Sequence, residues 1–140
     1  MKSAVLMFLL TFYAFGAESV AFIKSISGEA SVMRNNLTHP LQQGEELFSK
    51  DELITGKNST VGLSFDDGTR ISIGANTHFK IDDFLFAPAQ QDFKFNVSLP
   101  KGSLVFESGK IGKLAPEKVG IKVPQGIIGI RGTKFIVEAE

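Results

Sequence analysis

The sequence predicts an all-β domain, an antiparallel β-sandwich or roll of about ten short strands; a short β-solenoid is the other arrangement its periodicity allows. Three observations carry this. Apolar and polar residues alternate at period 2 along most of the chain past residue 18. No window sustains the i, i+3, i+4, i+7 apolar stripe of an amphipathic helix. Glycine, asparagine, aspartate and proline punctuate the runs every ~8 to 12 residues, the spacing of short strands joined by turns.

The length of 140 residues fits one domain. Met1-Lys2 is followed by an apolar run from Ala4 to Ala17, interrupted only by Thr11 and Gly16. One early positive charge, a short apolar core and small residues at its end predict a signal peptide over residues 1–16, cut between Gly16 and Ala17. The run falls short of the ~20 residues that cross a bilayer, and Glu18 closes it, so residues 17–140 are expected as one exported domain without a membrane span. There are no cysteines, which excludes disulfides, thiol nucleophiles and a lipidated N-terminal cysteine. Ten of the 13 phenylalanines lie beyond the leader and supply bulky core material. Losing Lys2 with the leader leaves 14 basic and 15 acidic residues, a balance that points to neither nucleic acid nor an anionic membrane as partner.

Taken in order, Val20, Phe22 and Lys24 open the first strand pattern, and Ala30 and Val32 follow Gly28. Asn35 to Gly44 is polar, contains Pro40 and reads as a loop. Leu53-Ile54 precede a turn at Gly56-Lys57-Asn58. Val61, Leu63 and Phe65 then face a turn at Asp66, Asp67 and Gly68, followed by Ile71 and Ile73. A two-residue Asp67-Gly68 loop would set Ser64 against Ile71 and mix polar with apolar residues. A three-residue loop sets Leu63 opposite Ile71 and Val61 opposite Ile73, with Gly68 left-handed, and is the expected hairpin. Phe79 and Ile81 come next. Phe93, Phe95, Val97 and Leu99 form the cleanest alternation, and Leu104 and Phe106 follow Pro100-Lys101-Gly102. The last twenty residues give three runs, at Ile121/Val123, Ile128/Ile130 and Phe135/Val137. Pro124, Gly126, Gly129 and Gly132 cut them, so tight turns are expected between the strands.

Reactive signatures are absent. Glu45-Glu46, Asp66-Asp67 and Asp82-Asp83 are acidic pairs, but neighbours on a strand point to opposite faces and cannot aim at one atom. They are expected as solvated turn residues, and Asp66-Asp67-Gly68 lacks the alternating acids of a calcium loop. His39 and His78, the only histidines, lack the spacing of a metal site. No Gly-x-Ser-x-Gly elbow is present to present a nucleophile. Gly132-Thr133-Lys134 reverses the lysine-then-threonine order of a phosphate loop and leads into a strand rather than a helix. No catalytic residue, metal or cofactor is expected. Arg131, a lone charge in an apolar stretch, is expected to hold its corner shut through backbone carbonyls or a carboxylate.

Val123-Pro124 and the run Gly129-Ile130-Arg131-Gly132-Thr133-Lys134-Phe135-Ile136-Val137 resemble the terminal signature of the FecR-like domain. Gly44-Glu45, Leu53-Ile54-Thr55-Gly56, Ser59, Val61-Gly62-Leu63 and Phe65-Asp66-Asp67-Gly68-Thr69 resemble its central block. The resemblance implies an all-β extracytoplasmic module of bacteria, periplasmic or secreted, with Pro124, Gly129, Arg131, Gly132, Thr133 and Phe135 as a structural rather than reactive signature. It further implies contact with another envelope protein in a signalling or assembly role. FecR-type regulators add a cytoplasmic segment and a membrane span. Neither is legible here, so recognition outside the cytoplasm is expected rather than control of a sigma factor. A structural envelope protein that binds polysaccharide or peptidoglycan is the alternative, with Phe84 and Phe86 as its loop-borne aromatic candidates.

Overall fold

The structure, a computed structural model, describes residues 18–130 and 133–140. The expected leader and its cleavage site, and Arg131 with Gly132, lie outside those residues.

Strands dominate. They are β1 (Ala21–Ser27), β2 (Ala30–Arg34), β3 (Leu37–Pro40), β4 (Glu46–Leu47), β5 (Glu52–Thr55), β6 (Thr60–Phe65), β7 (Arg70–Ile73), β8 (His78–Ala87), β9 (Asp92–Glu107), β10 (Val119–Val123), β11 (Gly126–Gly129) and β12 (Lys134–Ala139). All belong to one sheet, with β3-β2-β5-β8-β9-β7-β6-β1-β4 along its main path; β10 and β12 also pair with β9, and β11 pairs with β10. The sheet curls on itself into a half-barrel, the roll among the expected arrangements. Its pairings are antiparallel except for β9 with β10, which run parallel.

β9 is the spine. Its first half lies between β8 and β10, its second between β7 and β12. The sequence reading ended one strand at Leu99 and began another at Leu104, whereas β9 runs through Pro100-Lys101-Gly102 without a break. Pro100 falls where the β8 pairing slips, between His78↔Lys101 and Lys80↔Ser98, so its missing N–H costs no regular ladder bond. Gly102 takes the bend at φ 104°, and a Cβ there would come within 2.6 Å of the Thr77 backbone.

The β6–β7 hairpin has the expected register, Val61↔Ile73 and Leu63↔Ile71, around a three-residue loop with Gly68 at φ 90°. Elsewhere the reading is corrected. Asn35 to Gly44 is not all loop. Asn35 and Asn36 both adopt left-handed backbone, φ 54° and 65°, and make a two-residue hairpin that sets Leu37–Pro40 against β2. β3 is fully exposed, so no apolar alternation betrayed it. In β1, Ala21 and Ile23 are buried and Phe22 faces out, the opposite parity to the Phe22/Lys24 pattern; a bulge between Ile23 and Ser25 then shifts the register.

The final runs also differ from expectation. β10 and β11 form the tight hairpin across Pro124-Gln125, but β12 leaves it and pairs with the far half of β9. Among the described residues one short α-helix, α1 (Lys110–Leu114), and two 3-10 turns, Pro88–Gln90 and Pro116–Lys118, interrupt the strands.

Both halves of the sheet share one core. Phe65 of β6 packs its ring 4.9 Å from Phe95 and 5.5 Å from Phe84, and Phe95 stands edge-on to Phe106 at 5.6 Å. Phe106 in turn stacks on Phe135 at 5.1 Å. Phe84 and Phe86 are therefore half-buried strand residues on β8, not loop aromatics. No helix among the described residues is long and apolar enough to cross a membrane.

Candidate functional site

The Asp67 turn and Thr133, both singled out in the sequence, meet at one corner of the fold, tied together by the segment that follows β9. Asp67 is its anchor and is almost wholly buried. Its carboxylate accepts the Thr69 N–H at 3.0 Å, the Thr69 hydroxyl at 2.8 Å and the Ile111 N–H at 3.0 Å; its carbonyl accepts the Lys110 N–H at 2.8 Å. The Thr69 hydroxyl oxygen also accepts the Gly109 N–H at 3.1 Å. Asp67 thus satisfies the first two N–H groups of α1, those of Lys110 and Ile111, although it sits 44 residues upstream of Ile111. Expecting Asp66 and Asp67 both as solvated turn residues is wrong for Asp67. Asp66 does face outward. Partial burial, then the Asp67, Glu18 and Glu46 charges, raise its pKa above the ordinary aspartate value.

From the other side, the Thr133 carbonyl accepts the Ser108 N–H at 2.7 Å. The strand-end segment 107–111 is therefore clamped between the Asp67 turn and the start of β12. Phe135 lies on β12 against Phe106, while Pro124 and Gly129 are exposed at the two ends of the β10–β11 hairpin. These positions shape the chain; they do not converge on a pocket. The corner role expected of Arg131 concerns a residue outside those described.

The other candidates stay apart. The His39 ring meets Glu45 at 2.6 Å, and His78 lies on the outer face of β8. Asp82 accepts the Ser98 hydroxyl, and Asp83 pairs with Lys94 at 3.8 Å. Among the described residues no three His, Cys, Asp or Glu side chains are grouped to hold a metal ion. Arg34 forks onto Asp51, with Nε and Nη2 each at 2.8 Å, and this hydrogen bonding raises the arginine pKa further. Asp51 is buried and also accepts the Phe48 N–H, so the pair braces the β2–β5 side of the fold.

What the sequence reading missed is a groove of about 860 Å³ on the outer face of β12, β9, β7, β6 and β1. Strand pairing puts Lys134, Glu107, Arg70, Ser64 and Phe22 in one row across five strands. The adjoining row runs Ile136, Val105, Ser72, Gly62 and Ser25. Small residues in the middle of the second row keep the floor low, while Ile136 and Val105 make one end apolar. Lys24, Arg70 and Lys134 surround it, against one carboxylate, Glu107, 3.9 Å from Arg70. Both members of that pair are about half exposed, so it contributes little to stability and leaves the cations available. The cations come from β1, β7 and β12, and no local pattern in the chain links them. Only the register of the sheet does.

Residues 51–140 match the family described as FecR protein, well over half of the chain. The chain belongs to the FecR protein family. The matched stretch runs from β5 to the chain end and so includes the spine strand, the Asp67 turn and most of the groove. No curated protein matches. Among solved structures, the FecR-family chain is similar to one described as "Cell surface anchoring domain", at 27% identity over 44% of this chain and 82% of that one, with a TM-score of 0.42.

Proposed function

We propose that this FecR-family domain is a non-enzymatic binding module that works outside the cytoplasm and contacts another envelope protein, in a signalling or assembly role, through the outer-face groove. The groove carries the reading: three cations around a low floor with an apolar end suit a protein segment that offers carboxylates beside one or two apolar side chains. Family membership supports the envelope setting. A role in binding polysaccharide or peptidoglycan draws less support. It would want a platform of exposed rings, and Phe84 and Phe86 pack against Phe65, Phe95 and Phe93 instead. Among the described residues Phe22, at 44% exposure, is the one phenylalanine among the exposed large apolar side chains.

Reversing charge at the groove separates recognition from folding. Lys24→Glu and Arg70→Glu alter exposed side chains, so each should move stability by no more than about 0.5 kcal/mol. Together they should abolish capture of the envelope partner that the parent chain retains from an envelope extract. Undiminished capture by the double variant would remove the groove from the proposal.

A further inference from the structure

Among the described residues the sheet has four edge strands, and three of them are blunted. β3 is four residues long and ends in Pro40; β4 has only two residues; β11 has four, with glycine at each end. Such devices keep an open edge from pairing with another chain. β12 lacks them. It is six residues, Lys134-Phe-Ile-Val-Glu-Ala139, without proline or glycine, and among the described residues it pairs only with β9.

Its backbone polarity can be read from one bond. Ser108 N–H donates to the Thr133 carbonyl, and residues 133 and 108 continue the register Lys134↔Glu107. Bonded and non-bonded pairs alternate in an antiparallel ladder. Residues 133, 135, 137 and 139 therefore turn their backbone groups toward β9, and 134, 136 and 138 turn theirs to the free side. The side chains of these last three are all exposed, Ile136 at 69%.

We propose that β12 pairs antiparallel with β12 of a second copy of this chain, about a two-fold axis through Ile136. Three independent features meet in that register. The residues facing each other across the axis are those whose N–H and C=O groups are free. Lys134 falls opposite Glu138 of the second copy, and Glu138 opposite its Lys134, so both charges are complemented. Ile136 meets its own copy, covering the exposed side chain on both. Shifting the axis by one residue toward the strand start sets Lys134 against Ile136 and strands Glu138. Shifting it the other way pairs Lys134 with Glu140 but sets Ile136 against Glu138, leaving the apolar side chain against a charge. Charge and apolar matching thus select one register, and the interface is isologous and closed, a dimer rather than a fibre.

Sedimentation velocity on the purified chain, with single and paired charge reversals, tests this. The parent should show a concentration-dependent monomer–dimer equilibrium. Lys134→Glu or Glu138→Lys alone sets like charges opposite each other twice and should raise the dissociation constant by about tenfold or more. The double variant Lys134→Glu/Glu138→Lys restores both pairs and should dimerise like the parent. Mixing the two single variants should give a mixed dimer although neither pairs well alone. At a dilution where the parent is monomeric, Glu138→Lys should melt with the parent, and the chains carrying Lys134→Glu, which then face Glu107 across β9, only slightly below it, which separates the edge from folding. A parent that stays monomeric at high concentration, or single variants that dimerise as the parent does, would overturn the proposal. So would a double variant that stays monomeric while melting like Lys134→Glu alone.

Discussion

Asp67→Ala is expected to destabilise the domain by about 3–5 kcal/mol, because the truncation strips partners from several groups at once. The Thr69 and Ile111 N–H groups and the Thr69 hydroxyl would all lose an acceptor at a buried site. Each buried donor left unpaired costs about 1–3 kcal/mol, and hydrogen bonds to a charged acceptor lie toward the upper part of their range. Loss of the Ile111 contact also frees the start of α1, so protection of the 108–114 amides from hydrogen exchange should fall more than that of β2 or β5. Asp66→Asn is the control. The folded state raises the Asp66 pKa, so it binds more protons than the unfolded chain across the ordinary carboxylate range, and stability falls as pH rises through that range. Removing the charge should therefore leave stability unchanged or slightly higher at neutral pH, and any gain should vanish on acidification below the ordinary aspartate range. Chemical denaturation of both variants at neutral and acid pH checks the pair. A mild effect of Asp67→Ala would mean that the turn does not anchor the corner.

Phe95→Ala should cost about 3–5 kcal/mol, the range for truncating a large aromatic in a packed core. Phe95 is fully buried, with rings at 4.9 Å from Phe65, 5.6 Å from Phe84 and 5.6 Å from Phe106. These neighbours belong to β6, β8 and the far half of β9, so the cavity would open between the two halves of the curled sheet. The melting temperature should fall by roughly 10–25 °C while unfolding remains one cooperative transition. Two separated transitions in the variant would show that the halves hold independent cores.

The strands legible in the sequence are those where a single face is apolar and the turn fixes the register. Val61, Leu63 and Phe65 against Ile71 and Ile73 is the clearest case, because only the three-residue loop keeps like with like. β1 misleads because Val20, Ala21, Phe22 and Ile23 are apolar on both parities, and the bulge after Ile23 then shifts the register. β3 buries nothing, so alternation had nothing to report; the Asn35-Asn36 pair is the signal that could have found it. The bend within β9 reads as a break because Pro100 and Gly102 usually end strands. α1 is a single turn around Gly112 whose N-terminal acceptor lies far away in sequence, beyond the reach of any local pattern. The groove is illegible for a related reason. Lys24, Arg70 and Lys134 become neighbours only through pairings that join β1, β6, β7, β9 and β12.

The claim that this face of the sheet is the recognition surface is tested most directly in living cells by a photo-crosslinking residue at Ser72, on the groove floor. The control is the same residue at Lys57, on an exposed turn outside the groove. The account predicts a crosslinked adduct with an envelope protein from position 72, lost when Lys24→Glu and Arg70→Glu are added, and none from position 57. Adducts of equal yield from both positions, or from position 57 alone, would contradict it.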